Sequence, residues 1–183
     1  MNGVVLVDIA KRAIASEFGV DSGIDIRELE ERYPELKKEQ ATFVTLTIDG
    51  QLRGCIGSII PHRPLLNDLI LNAKSASFND PRFPPLTPEE FKNVEIEVSL
   101  LSVPKFLEYS DIDDLRHKIH PGVDGVILQC DGRQATFLPQ VWEQLNRFDL
   151  FFAHLCLKAG LSQDCLECHP DIFVYQVEKF KRS

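Results

Sequence analysis

An α+β fold is what this sequence predicts, on three observations. Asp49-Gly50 and Asp131-Gly132 each separate a pair of β-rich stretches, and an Asp-Gly pair suits a two-residue hairpin because both positions tolerate positive φ. Helix-period stretches surround these hairpins without the regular strand–helix–strand alternation that signals a parallel sheet. The chain has 183 residues, 44% of them hydrophobic, and a chain of this size buries about 70% of the surface of its unfolded form. That is enough for one domain, or one domain with two lobes, without a covalent staple. The expected architecture is an antiparallel or mixed sheet with flanking helices.

Taken in order, Leu6, Ile9, Ala10, Ala13, Ile14 and Phe18 recur at the helical period over Val4 to Phe18, and Gly19 stands where that helix ends. A short helix is expected around Arg27 to Glu31, then an extended link through Tyr33-Pro34. Thr42 to Ile48 puts Val44, Leu46 and Ile48 on one face of a strand. After the Asp49-Gly50 turn comes Leu52-Arg53-Gly54-Cys55-Ile56-Gly57, continued by Ser58-Ile59-Ile60. Pro64 opens a helix carrying Leu65, Leu66, Leu69, Ile70 and Ala73 inward, and its free N–H groups could hold an anion near the preceding strand. Asn79 to Pro85 is a stiff loop, because its three prolines remove donors and fix φ. Thr87-Pro88-Glu89-Glu90 reads as a capping box. Val94 to Leu101 alternates, with Val94, Ile96, Val98 and Leu100 toward the core and Glu95, Glu97, Ser99 and Leu101 opposite. Ser110-Asp111 starts a small helix containing Leu115, and Val126 to Cys130 with Arg133 to Leu138 makes the second hairpin. Pro139 begins a helix with Val141, Trp142 and Leu145; Leu150 to Ala159 forms another, closed by Gly160; Ile172 to Val177 is the strand that ends the fold.

One stretch reads as a binding surface. Along Leu52 to Gly57 alternate side chains share a face, so Arg53, Cys55 and Gly57 lie together, a fixed cation and a thiol beside bare backbone. Interior glycines weaken a strand and mark a bulge or a close approach by a ligand or another backbone.

Composition narrows the function. A net charge of −8 disfavours a general nucleic-acid binder, which needs clustered Lys and Arg; the basic clusters, Lys37-Lys38 and Lys179-Phe180-Lys181-Arg182, are small. No apolar run has membrane-spanning length, and Met1 to Phe18 lacks the layout of a signal peptide. A cytoplasmic protein is the expectation, and its five cysteines are read as thiols. Phosphate-loop, dinucleotide and nucleophile-elbow patterns are absent, so no cofactor is named.

Six blocks carry a family resemblance: Thr42 to Gly57 with LRGCIG, DPRF within Asn79 to Phe83, IEVSLLS from Ile96, PGVDGVIL from Pro121, TFLPQVWE from Thr136, and KAGL from Lys158. In this order they resemble the AMMECR-type domain family. The resemblance implies a single domain over residues 1–183 with two subdomains of interleaved chain segments, and a cleft near the LRGCIG strand. It implies no settled activity. It also associates such domains with Memo-like and radical-SAM proteins.

Carried over residue by residue, the candidates are Arg53, Gly54, Cys55 and Gly57, with Asp80, Arg82, Glu97, Thr136 and Gln140. In one reading Arg53 holds an anionic or carbonyl group while Cys55 attacks or binds the ligand, since a neighbouring cation favours a thiolate. In the other, Cys55 is a small buried hydrophobe and Arg53 pairs with Glu97 or Asp80. No histidine stands out as a base: His62, His117 and His120 fall in loops or at a helix end. The partner is expected to be a small molecule, with a protein partner using the same cleft as a peptide groove as the alternative. Cys165-Leu166-Glu167-Cys168-His169 matches a haem-attachment pattern, but attachment requires export. Cys156, Cys165, Cys168 and His169 have the donor types of a zinc site, with His154 spare. The family commonly carries a tryptophan there, so a metal would be a local addition and no metal is expected in the shared function.

Overall fold

The computed structural model describes residues 3–21 and 23–181; Arg182, the last residue of the second basic cluster, lies outside them. The chain divides into two compact units. Residues up to Val103 and those from Glu178 onward make the first, and Pro104 to Val177 the second.

In the first unit, α1 (Gly3–Ser16) buries Leu6, Ile9, Ala10, Ala13 and Ile14, the expected stripe, and Gly19 follows at φ +76°. Helix α2 (Ile26–Arg32) starts where the Asp25 carboxylate accepts from the Glu28 N–H. The link after Tyr33 is a 3-10 turn, Pro34–Lys37, rather than extended chain. That turn drives Leu36 completely into the core.

Strands β1 (Ala41–Ile48) and β2 (Gln51–Gly57) pair antiparallel. Asp49 and Gly50 both have positive φ, as a type I′ turn requires. The strand does not continue through Ser58-Ile59-Ile60; Ser58 still donates its N–H to the Thr42 carbonyl at 2.8 Å, and the chain then bends away. Helix α3 (Leu65–Phe78) lays Leu65, Leu66, Leu69 and Ala73 inward. Its first turn carries Asp68, a buried carboxylate that accepts from the Thr42 N–H and hydroxyl, the Ser58 hydroxyl and Arg63 Nε. At the start of the helix the Leu65 N–H donates to the Lys38 carbonyl at 2.8 Å.

Helix α4 (Pro88–Phe91) has the complete capping box. Strand β3 (Glu95–Leu101) alternates as expected through Val98, but Ser99 and Leu101 on the opposite face are buried too. The first sheet runs β2-β1-β3-β8, where β8 is Val177–Lys181. Its core face packs Val44, Leu46, Ile96 and Val98 with α1 and α3.

The second unit holds β4 (Lys105–Phe106), α5 (Ile112–Lys118), β5 (Gly125–Cys130), β6 (Arg133–Phe137), α6 (Phe148–Lys158) and β7 (Asp171–Tyr175), in a sheet ordered β4-β7-β5-β6. The Pro139 segment is a five-residue 3-10 turn, not an α-helix. It stacks Trp142 on Phe151 at 3.6 Å between ring centroids while the indole N–H donates to the Asp124 carbonyl. The final strand is also two strands, interrupted at Gln176, whose amide donates to Asp124. One half completes the second sheet and the other returns to the first. Cys156 and Cys165 form a disulfide, so the reading of all five cysteines as thiols is corrected to three.

Candidate functional site

The face of the first sheet turned away from α1 and α3 carries the candidate groups. The β1–β2 register sets Cys55 opposite Thr45, and the β1–β3 register sets Thr45 opposite Glu97. Lys179 and Lys181 on β8 reach the Glu97 carboxylate at 3.6 and 3.3 Å. A polar row therefore crosses all four strands: thiol, hydroxyl, carboxylate, two ammonium groups.

Cys55 Sγ and Thr45 Oγ1 lie 3.3 Å apart in a hydrogen bond. Burial pushes the Cys55 thiol above the ordinary cysteine value, against the smaller opposing effects of the Thr45 hydrogen bond and the Arg82 charge. The groups that act on it are Thr45, Arg82, Asp80 and Glu97, and the Thr45 hydroxyl is its hydrogen-bonding partner.

Arg53 is the extra residue of a β-bulge: Leu46 pairs with Gly54 and Thr47 with Leu52, so β2 skips one position. Bulges bend a strand and re-aim a side chain. Here the guanidinium meets Glu90 in a fork, Nε to Oε1 at 2.8 Å and Nη2 to Oε2 at 2.9 Å. The expected partners Glu97 and Asp80 are replaced by a residue whose sequence context shows only a helix cap. Glu90 does both tasks, since the same carboxylate accepts from the Thr87 N–H. The Arg53 contact foremost, then the Thr87 N–H, pulls its pKa down to about 2.

Asp80 and Arg82 act on the backbone of the edge strand. The Asp80 carboxylate accepts from the Cys55 N–H at 2.9 Å, and Arg82 Nη2 donates to the Cys55 carbonyl at 3.2 Å. Two further guanidinium bonds join Arg82 to Asp80. These side chains satisfy the outward donor and acceptor that a neighbouring strand would otherwise take. The Arg82 bond holds the Asp80 carboxyl well below the usual carboxylate range. Phe83 lies under both guanidinium groups, 5.8 Å from Arg53 and 5.5 Å from Arg82.

Both motif glycines are explained by packing. A Cβ on Gly54 would overlap the Ala76 carbonyl oxygen of α3, and one on Gly57 would overlap the Phe43 ring. The close approach is by the protein itself. Thr136 and Gln140 belong to the second unit; the Thr136 hydroxyl donates to the Val126 carbonyl and meets the Tyr175 hydroxyl at 2.9 Å. The zinc candidates do not assemble, because Cys156 and Cys165 bond each other while His169 stacks on Tyr109 at 4.1 Å and bonds its carbonyl. Among the described residues no group of three or more His, Cys, Asp or Glu is placed to hold a metal ion. Thr45, Glu90, Lys179 and Lys181 were not legible as site residues: only the strand registers and the α4 cap bring them there.

These features define a class, an α+β protein whose glycine-punctuated edge strand is held by an Asp-Pro-Arg-Phe loop and a capping-box glutamate. The chain belongs to the AMMECR1 family, whose model matches residues 7–180. It is 37% identical to a protein of Methanothermobacter thermautotrophicus, with 96% of this chain and 91% of that one aligned. It is 38% identical to protein MK0488 of Methanopyrus kandleri, covering 99% and 88% of the two chains. The crystal structure of the uncharacterized protein PH0010 from Pyrococcus horikoshii superposes with a TM-score of 0.86 at 34% identity, covering 99% of this chain and 91% of that one.

Proposed function

We propose that the first unit binds a compact polar molecule non-covalently on the sheet face bearing Cys55, Thr45 and Glu97, with Arg82 at its edge. The observation that carries this reading is the polar row itself. Sheet faces are stabilised by cross-strand packing, yet this one sets a thiol, a hydroxyl and a carboxylate in line, with the Glu97 side chain only 13% exposed. Lys179, Lys181 and Arg82 supply cations at its two ends, which suits a ligand with an anionic group and a hydrogen-bonding centre. The raised Cys55 thiol supports binding over covalent catalysis. The family association with Memo-like and radical-SAM proteins is the context in which such a ligand would be made or used.

The experiment is alkylation of Cys55 by N-ethylmaleimide in the Cys130→Ser, Cys168→Ser protein, which leaves Cys55 as its one free thiol, with small carboxylates and phosphomonoesters as probes. The expected result is saturable protection by one chemical class, lost in Glu97→Gln. If no probe protects Cys55 or raises the unfolding temperature, the face is not a small-molecule site. A co-purifying protein that blocks alkylation would shift the reading to the peptide-groove alternative.

A further inference from the structure

The second unit carries a sulfur cluster that the sheet site does not use. Cys156, near the end of α6, and Cys165 are both buried, and their disulfide joins Cα atoms 5.9 Å apart. Cys165 is also the first residue of the 3-10 turn Cys165–Cys168, whose last residue is an exposed free thiol. A 3-10 helix has three residues per turn and a rise of about 2.0 Å, so its first and fourth side chains eclipse with Cα atoms about 6 Å apart. That separation falls within the range of about 4.4–6.8 Å over which a disulfide forms. Cys165 is thus bonded to a buried sulfur and stands one 3-10 turn away from an exposed thiol.

Cys130 stands close by. The β5–β7 register pairs Gln129 with Asp171, which brings Cys130 level with the segment leaving the 3-10 turn. Burial raises its thiol first, with Asp131 and then Cys168 adding to the effect. His169 is held in the left-handed region at φ +52°, with its ring on Tyr109.

We propose that Cys168 is the exchange thiol of this cluster, through which the buried Cys156–Cys165 disulfide is opened and closed. Its thiolate attacks Sγ of Cys165, the Cys156–Cys165 bond breaks and a Cys165–Cys168 bond forms. The electron pair leaves on Cys156, which takes a proton from water in place of the one Cys168 released. The step needs no external oxidant, since one disulfide replaces another. A dissolved dithiol then reduces the surface bond by its own oxidation to a disulfide, a sulfur it reaches far more readily than the core pair. The reagent class is thiols and disulfides, acting at the surface turn.

The test is reduction of the folded protein by dithiothreitol, quenched with acid, alkylated and mapped by trypsin and mass spectrometry. Cleavage after Lys158 makes Cys156–Cys165 a cross-link between two peptides and Cys165–Cys168 a bond within one. Wild-type protein is expected to show the internal bond as a transient, with Cys156 alkylated. In Cys168→Ser that species is absent and loss of the cross-link is about tenfold slower, because attack must come directly at shielded sulfur. Cys130→Ser, which keeps Cys168, behaves as wild type. Alkylating Cys168 in the folded Cys130→Ser protein before adding dithiothreitol repeats the test without altering the turn. Equal reduction rates with and without a free Cys168 thiol overturn the proposal, as does failure to find the Cys165–Cys168 bond, or slowing by Cys130→Ser alone.

Discussion

Gly54 and Gly57 look equivalent in the sequence, yet they answer to different obstacles. The atom facing Gly54 is a main-chain carbonyl oxygen of α3, well inside contact distance of where a Cβ would stand, and it moves only if helix and sheet separate. We expect Gly54→Ala to lower stability by about 3 kcal/mol, as overpacking of a tight contact does. At Gly57 the obstacle is the half-buried Phe43 side chain, which can turn about χ1. Gly57→Ala should cost about 1 kcal/mol, within the common range for single substitutions. Urea unfolding of the two variants checks the order. At Cys55 the sign of the pKa shift sets a second expectation: burial raises the thiol, so labelling of Cys55 as the one free thiol should rise with a midpoint above that of a free cysteine, about pH 8.5. A midpoint below that value would favour the nucleophile reading that Arg53 suggested in the sequence. Arg53 misled because its own strand says nothing of Glu90, 37 residues away.

Elements were legible where their signals are local. The Asp-Gly turns, the Thr87 capping box and the α1 stripe each depend on residues within a few positions of one another, and each appears as read. The partners of the site were not, since they depend on registers and on a bulge that no local pattern declares. The loop from Asn79 to Pro85 shows the difference: its stiffness was readable from three prolines, whereas its task of covering the β2 edge at Cys55 was not. An edge strand with unpaired backbone groups templates pairing with another chain. Asp80→Ala should therefore lose about 2 kcal/mol for the bonds its carboxylate accepts from the Cys55 and Arg82 backbone N–H groups and raise concentration-dependent self-association, read by light scattering. Acid should act along the same line. Asp80 and Glu90 have folded pKa values below those of the unfolded chain, about 3.9 and 4.3, so their stabilisation is whole above those values and is lost as pH falls through the folded ones. For Glu90 the window runs down to about 2. The urea midpoint of wild type should fall across it, and less steeply in Glu90→Gln.

At the scale of the molecule, the first unit is completed only by the last strand of the chain. The sheet order β2-β1-β3-β8 makes β3 an inner strand on the strength of residues beyond Val177, and Phe180 packs against the first core. The second core, around Leu115, Val126, Trp142 and Phe151, contains no side chain from β8. Ending the chain after Val177 should then injure the unit farthest away in sequence. Without β8, β3 becomes an edge, Glu97 loses both lysines and the polar row keeps a cation only at its Arg82 end. Trp142, the single tryptophan, lies in the second core and reports on that unit alone. The expected outcome is a lowered circular-dichroism transition and faster hydrogen exchange along β3, while the Trp142 fluorescence transition stays near that of the full chain. A shared shift of both signals would mean that the two cores unfold as one, and that β8 supports the second through more than its place in the first sheet.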